Sequence, residues 1–117
     1  MDNEDKIKQQ VAEAAKRFFE ENMSIKPESI VVDIHSDGIV VTMHNAISKA
    51  EKAYIREKVS SNLLDRFYKD TFDASKLAFE SAMGTVFRNR VTGSLISLDP
   101  ESGKCVVVVS IENDESI

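Results

Sequence analysis

Apolar residues recur with helical spacing near the start of the chain. Across 4–22 they stand at Ile7, Val11, Ala14, Ala15, Phe18 and Phe19. That spacing puts them on one stripe of an amphipathic helix. Pro27 disfavours helical geometry at the residue before it. The pattern therefore predicts a helix over 4–22 and a linker over 23–29.

Strict alternation then replaces the helical spacing and indicates a β-hairpin. Two runs, 30–36 and 39–45, flank Asp37-Gly38, a dipeptide typical of a two-residue type I′ turn. With that loop, Ser36 lies opposite Ile39. One face then carries Ile30, Val32, Ile34, Ile39, Val41 and Met43, which we expect to face the core. The other face carries Val31, Asp33, His35, Val40, Thr42 and His44.

A long segment without proline follows, and its first glycine is Gly84. Ser48 and Glu51 fit a capping box, and apolar residues keep helical spacing through 49–90. One unbroken helix of that length would be roughly 60 Å long. A compact chain of this size has a radius of gyration of only about 13 Å. We therefore expect either an antiparallel pair of helices broken at 69–73, or one helix that projects into a partner.

A second hairpin is predicted from 94–98 and 105–111, joined by a turn containing Pro100 and Gly103. The run 105–109 is apolar on both faces, so we expect this strand to be central or covered. The predicted fold is α+β: a four-stranded, mainly antiparallel sheet from two β-hairpins with helices packed on it, in the order α-β-β-α-α-β-β.

The length of 117 residues suits a single domain over 1–117. Within it we expect an ordered core over about 4–112 and an acidic tail over 113–117. Three helices cover one sheet face well, and the remaining face then becomes a candidate dimer surface. The alternative is that one helix crosses to that second face, and the sequence leaves both readings open.

The charge is concentrated at the two ends of the chain. The net charge is −5, from 20 acidic and 15 basic residues. Six of the acids lie before residue 6 or after residue 111, and the span between is close to neutral. This distribution disfavours attraction to nucleic acid or to anionic lipid. The single cysteine and the absence of a long apolar run favour a cytoplasmic location and no membrane span.

The hairpin 29–41, the helix start 47–52, Thr92-Gly93 and the final 102–109 together resemble the YbcI-like family of bacterial domains of unknown function. The resemblance covers about 7–112. That family has no established catalytic residues, so the resemblance implies a fold and no reaction. The chain departs from the family where Leu98 runs directly into Asp99-Pro100, and where Met43 replaces a common basic residue.

Three polar residues of the first hairpin are candidates for ligand binding. Asp33 lies within a strand, where aspartate is disfavoured, and it could tune His35 or His44 as a general base. A solvated polar face is the simpler interpretation, and we favour it. The predicted register leaves the two histidines roughly 13 Å apart along the strands. We therefore predict no metal site, and we expect no cofactor.

Basic residues are frequent in the helical middle of the chain. They are Arg56, Lys58, Arg66, Lys69, Lys76, Arg88 and Arg90. Acidic residues are interleaved with them, which favours solvated faces over a nucleic-acid surface. Arg88 and Arg90 form the densest cluster and complete the set of candidate ligand-binding residues.

These observations predict a small, non-enzymatic cytoplasmic α+β module that forms a homodimer and binds a protein partner or a small ligand. One alternative is a small enzyme that uses Asp33 with His35 or His44 on the open sheet face. Another is a nucleic-acid-binding module that uses the basic helices of 49–90. The apolar excess of strand 105–111, without a catalytic constellation, favours the first.

Overall fold

The computed structural model describes residues 2–47, 61–87, 90–99 and 102–112, with side chains from 4–47, 66–87, 90–99 and 102–112. The predicted capping box at Ser48 and Glu51, residue Arg88 and the tail 113–117 lie outside these ranges. In chain order the elements are α1 (Asp2–Met23), β1 (Ser29–His35), β2 (Gly38–His44), α2 (Ser61–Phe87), β3 (Val91–Asp99) and β4 (Lys104–Ile111).

The four strands form one antiparallel sheet in the spatial order β1-β2-β4-β3. Each hairpin supplies two neighbouring strands, and the hairpins join where β2 pairs with β4. The predicted fold class is therefore confirmed. β4 lies between β2 and β3, so the expectation that this strand is central is confirmed.

Helix α1 agrees with the helix predicted over 4–22. Its apolar stripe buries Val11, Ala15 and Phe19 completely. After Met23, Ser24 takes a left-handed conformation with φ of 55°. The Ile25 N–H then donates to the Phe19 carbonyl over 3.0 Å, which accounts for one of the helix's last carbonyl groups.

The first hairpin forms, but its predicted register is wrong by two residues. Ile34 pairs with Ile39 and His35 with Gly38, so the loop is Ser36-Asp37 instead of Asp37-Gly38. A shift of two residues keeps every side chain on its predicted face because the strand period is two. The core face of this hairpin is therefore the one expected from the sequence.

Gly38 is needed for space and not for an unusual turn conformation. Among the described residues, Ser24, Asn45 and Gly103 have a positive φ, and Gly38 does not. A Cβ atom at position 38 would lie 2.7 Å from the carbonyl oxygen of Val109 on β4. The Asp-Gly pair therefore reflects close strand contact, although in isolation it favours a type I′ turn.

The predicted helix break at 69–73 is wrong, because α2 continues through it from Ser61 to Phe87. The break was expected because Thr71 and its acidic neighbours are good capping residues. Instead, Thr71 Oγ1 donates to the Phe67 carbonyl over 2.8 Å, within the same helix. Hydroxyl groups that bond to the preceding turn remain compatible with a continuous helix.

The size argument concerned one unbroken helix over 49–90, and it stays untested because 48–60 and 88–89 lie outside the described residues. A helix of 27 residues is about 40 Å long, and the molecule measures 53 Å along its longest axis. The helix therefore fits within an elongated molecule. Among the described residues, the helix that packs against it is α1.

The core lies between the two helices and one face of the sheet. The rings of Phe18, Phe19, Phe72 and Phe79 have centroids 5.0–6.3 Å apart. They join α1 to α2 above the inward-facing residues of the strands, in one buried cluster. Both described helices thus contribute to the same face of the sheet.

A partly buried hydrogen bond links α2 to β3. Ser94 Oγ donates to Glu80 Oε2 over 2.6 Å. We expect Ser94→Ala to lower the free energy of unfolding by about 1–2 kcal/mol, because the half-buried carboxylate loses its donor. Urea denaturation measures this. Ser97→Ala, on the same strand but exposed, should change stability by less than about 0.5 kcal/mol, and equal effects would contradict this role for the bond.

Candidate functional site

The sheet face opposite the helices carries an exposed apolar surface. We call Val31, Val40, Val106, Val108 and Leu95 the outer patch. Leu95 is 73% exposed, Val31 46% and Val108 40%. Of the two open readings of this face, the described residues agree with an uncovered face, since neither α1 nor α2 packs on it.

The strand register makes the outer patch continuous. Val40 pairs with Val108, and Val108 pairs with Leu95, so these three residues form one row across three strands. In the next row, Thr42 pairs with Val106, and Val31 pairs with Thr42 from the other side. Neighbouring strands lie about 4.8 Å apart, so these side chains are in contact distance of each other.

Charged and polar residues surround the outer patch and carry both signs. Asp33 and His35 lie on β1, His44 on β2, Lys104 on β4 and Asp99 on β3. Lys104 pairs with Asp99 in the register of β3 and β4. The rim therefore presents acidic and basic groups around an apolar centre, which is typical of a protein–protein interface.

The predicted polar candidates lie on this rim, but in a different arrangement from the expected one. His44 pairs with Ser29 and not with Val31. His35 and His44 are therefore about 20 Å apart along the strands, farther than predicted. Asp33 pairs with Val40, which separates it from His44 by about 13 Å along the strand direction.

Asp33 and His35 are the one predicted pair that the fold keeps close. They are two residues apart on β1, on the same face and both exposed, with Cα atoms about 6.6 Å apart. Within the described residues, no hydrogen bond or ion pair joins them. The ranges that the structure describes also hold no group of three His, Cys, Asp or Glu side chains able to bind a metal ion.

The basic residues predicted for nucleic acid are scattered in the structure. Arg66, Lys69 and Lys76 are carried by α2 among acidic residues, and Lys76 approaches Asp73 at 4.0 Å. Arg90 is exposed just before β3. Arg56, Lys58 and Arg88 lie outside the described residues, so the Arg88–Arg90 cluster stays a prediction.

Sequence reasoning did not single out Leu95, the most exposed member of the outer patch. A signal for it exists, because 95, 96 and 98 are all apolar and strict alternation therefore breaks at Leu95. When an apolar residue occupies a strand position whose side chain points away from the core, it indicates that the second face of the sheet is not wholly solvated. Val106 and Val108 carry the same signal in β4, where it was recognised.

Neither described helix carries the long apolar stretch that crossing a bilayer requires.

A family model described as "Na+-translocating membrane potential-generating system (MpsC)" matches residues 3–113 of the chain. No curated protein and no solved structure matches this chain. The resemblance to the YbcI-like family is therefore wrong as an assignment. The motifs behind that resemblance are a short hairpin, a helix-cap pattern and a Thr-Gly pair, and such turn and cap patterns do not by themselves specify a family.

Proposed function

Because this chain belongs to the MpsC family of Na+-translocating membrane potential-generating systems, we propose that it serves such a system as a non-enzymatic subunit that forms a homodimer through the outer patch. The observation that carries the proposal is the continuous apolar surface on a sheet face that neither described helix covers. Exposed apolar patches rimmed by polar residues mark interaction sites.

The charge of the rim favours a second copy over other occupants. Asp33 and Asp99 are acidic, whereas Lys104 is basic. An anionic membrane surface would require an excess of cations here. A second copy brings both signs to the interface, and a two-fold arrangement lets the same patch pair with itself.

The size of the face suits a dimer of moderate affinity. Four strands span about 19 Å, and seven residues along a strand span about 23 Å. Two copies therefore cover on the order of 900 Å² in projection, and side-chain relief raises the accessible area toward the 1,200 Å² of the smallest stable interfaces. We expect dissociation in the micromolar range.

A non-enzymatic role agrees with the spacing of the polar groups. The outer face separates Asp33 from His44 and the histidines from each other, so it does not assemble several acid and base groups around one point. We also propose that the subunit works in the cytoplasm, since the chain has one cysteine and cannot form an internal disulfide.

The homodimer predicts that Val108→Asp yields a monomer. An unpaired charge in the centre of the interface should raise the dissociation constant at least about 100-fold, which equals roughly 2.7 kcal/mol. Light scattering at micromolar concentration measures the mass, and circular dichroism checks folding. Leu95→Asp, on an edge strand, is a second variant with the same expected result.

Leu77→Asp is the matched control for the dimer. Leu77 is 79% exposed on α2, away from the sheet, so the same substitution there should leave the dimer intact. A wild-type monomer at micromolar concentration would overturn the proposal. If Leu77→Asp dissociated the dimer and Val108→Asp did not, the interface would lie on α2 and the proposal would be overturned as well.

The link to Na+ translocation is tested in membrane vesicles from cells that carry the complete system. A potential-sensitive dye should report a Na+-dependent potential with wild-type protein or Leu77→Asp. The signal should fall markedly with Val108→Asp. A full signal with a monomeric Val108→Asp protein would show that dimerisation has no part in the function.

A further inference from the structure

A groove lies between α1, along 6–17, and the end of α2. Its volume is about 630 Å³, within the range of roughly 300–1,000 Å³ that is typical of small-molecule sites. The groove belongs to the helix layer, on the other side of the sheet from the outer patch. It is therefore a separate surface from the proposed dimer interface.

The floor of the groove is apolar. Ile7 and Ala14 of α1 and Val86 and Phe87 of α2 line it. All four are half-buried and pack against the hydrophobic core. Their inner atoms thus hold them in place, while their outer atoms offer an apolar surface on which a ligand can lie.

Two cationic side chains stand above this floor. Lys6 and Arg17 line the groove from the same helix. They are eleven residues apart, about three helical turns, so they project from the same side of α1 at about 16 Å from each other. Both are exposed, and the ion pairs among the described residues involve neither of them.

One acidic residue, Glu13, also lines the groove. It precedes Arg17 by four residues, a spacing that usually favours a helical ion pair. No ion pair forms between them within 4.0 Å. Arg17 is therefore open to an external anion, with Glu13 as a nearby repulsive charge for that anion.

The geometry points to a binding site for a small amphipathic anion in this groove. The apolar body of the ligand lies on Ile7, Ala14, Val86 and Phe87, and its carboxylate or similar group meets Lys6 or Arg17. A ligand with both parts matches the groove better than a purely polar ion does, because apolar floor and cationic rim are then both used. This site goes beyond the proposed dimer and does not depend on it.

The test uses decanoate as the probe and decanol as its neutral counterpart. Calorimetric titration of the full chain should give saturable binding of one decanoate per protomer, with decanol at least about tenfold weaker. The double variant Lys6→Gln/Arg17→Gln should weaken decanoate binding about tenfold or more. The matched control Lys16→Gln/Lys26→Gln changes the net charge equally outside the groove and should bind as the wild type does.

Glu13→Gln should change the affinity for decanoate in the opposite direction from Lys6→Gln/Arg17→Gln. Removing the repulsive carboxylate should tighten decanoate binding several-fold without a new contact. A merely structural role for α1 would not produce opposite changes at Glu13 and Arg17. Circular dichroism confirms that each variant remains folded.

Several results would overturn the groove site. They are absence of saturable binding, equal binding of decanol and decanoate, and unchanged affinity in Lys6→Gln/Arg17→Gln. Loss of binding in Val108→Asp would put the probe on the outer patch instead. Sedimentation with anionic phosphatidylglycerol vesicles that depends on Lys6 and Arg17 would assign the anion to a bilayer and not to a free molecule. If the protein were monomeric and bound decanoate as expected, the groove site would be supported and the proposed dimer would be contradicted.

Discussion

Replacing Phe72 by alanine should lower the free energy of unfolding by about 3–5 kcal/mol, the largest effect we expect from a single core substitution. Phe72 is fully buried. Its ring lies 6.0 Å from that of Phe19 in a stacked arrangement and 5.5 Å from that of Phe79. Truncation removes these contacts and leaves a cavity at the junction of α1 and α2.

The matched control for this prediction is Phe67→Ala. Phe67 belongs to the same helix but is 61% exposed, so the same truncation should cost less than about 1 kcal/mol. Urea denaturation at one fixed protein concentration compares both variants, since the proposed dimerisation would make stability depend on concentration. Similar losses at the two positions would contradict the orientation of α2 against α1.

Gly38→Ala should have the second large effect, a loss of about 2–3 kcal/mol. The added Cβ would meet the Val109 carbonyl oxygen at 2.7 Å. That oxygen belongs to the backbone of β4 and cannot turn aside as a side chain could. The pairing of β2 with β4, which joins the two hairpins, must open locally to admit the methyl group.

Gly93→Ala tests whether this loss comes from crowding. Gly93 also lies in the sheet, on β3, but nothing stands within 4 Å of the position that its Cβ would take. We expect Gly93→Ala to leave the midpoint of thermal unfolding unchanged or slightly raised, because alanine restricts the unfolded chain. If Gly93→Ala lowered stability while Gly38→Ala left it unchanged, the close contact described between Gly38 and the Val109 carbonyl would be contradicted.

The alternation of the first hairpin was enough to predict its two faces but not its loop. Val32 and Val41 point into the core as expected, because a register error of two residues preserves side-chain parity. The predicted loop is wrong because it places Gly38 in the turn. Its true constraint is the approach of Val109, a contact between residues far apart in the sequence that local patterns do not contain.

The continuity of α2 was hidden for a different reason. Thr71 and Ser75 favour caps and turns in isolated segments. In the folded chain their hydroxyl groups bond to the Phe67 and Thr71 carbonyls, so the helix interior accommodates them. The choice between these two arrangements depends on packing of the flanking Phe72 and Phe79 against α1, which is a tertiary effect.

The candidate site was predictable only in part. The apolar excess of 105–111 indicated an interacting sheet face, because central strands rarely need valine on both sides unless both are covered. The groove between α1 and α2 could not be found in the same way. It requires knowing that the end of α2 lies beside Ile7, whereas the sequence suggested that α2 had a different partner.

The order of the strands also has a consequence for the synthesis of the chain. The sheet joins its halves through pairs such as Val41 with Val107, and β4 is synthesised after the other three strands of the sheet. Until Lys104–Ile111 is available, β2 is paired with β1 on one edge only, and the backbone donors and acceptors of its other edge stay free. Such pairing across long sequence separation is slow and leaves open edges that recruit other chains. The nascent protein is therefore most prone to aggregation before β4 has joined the sheet.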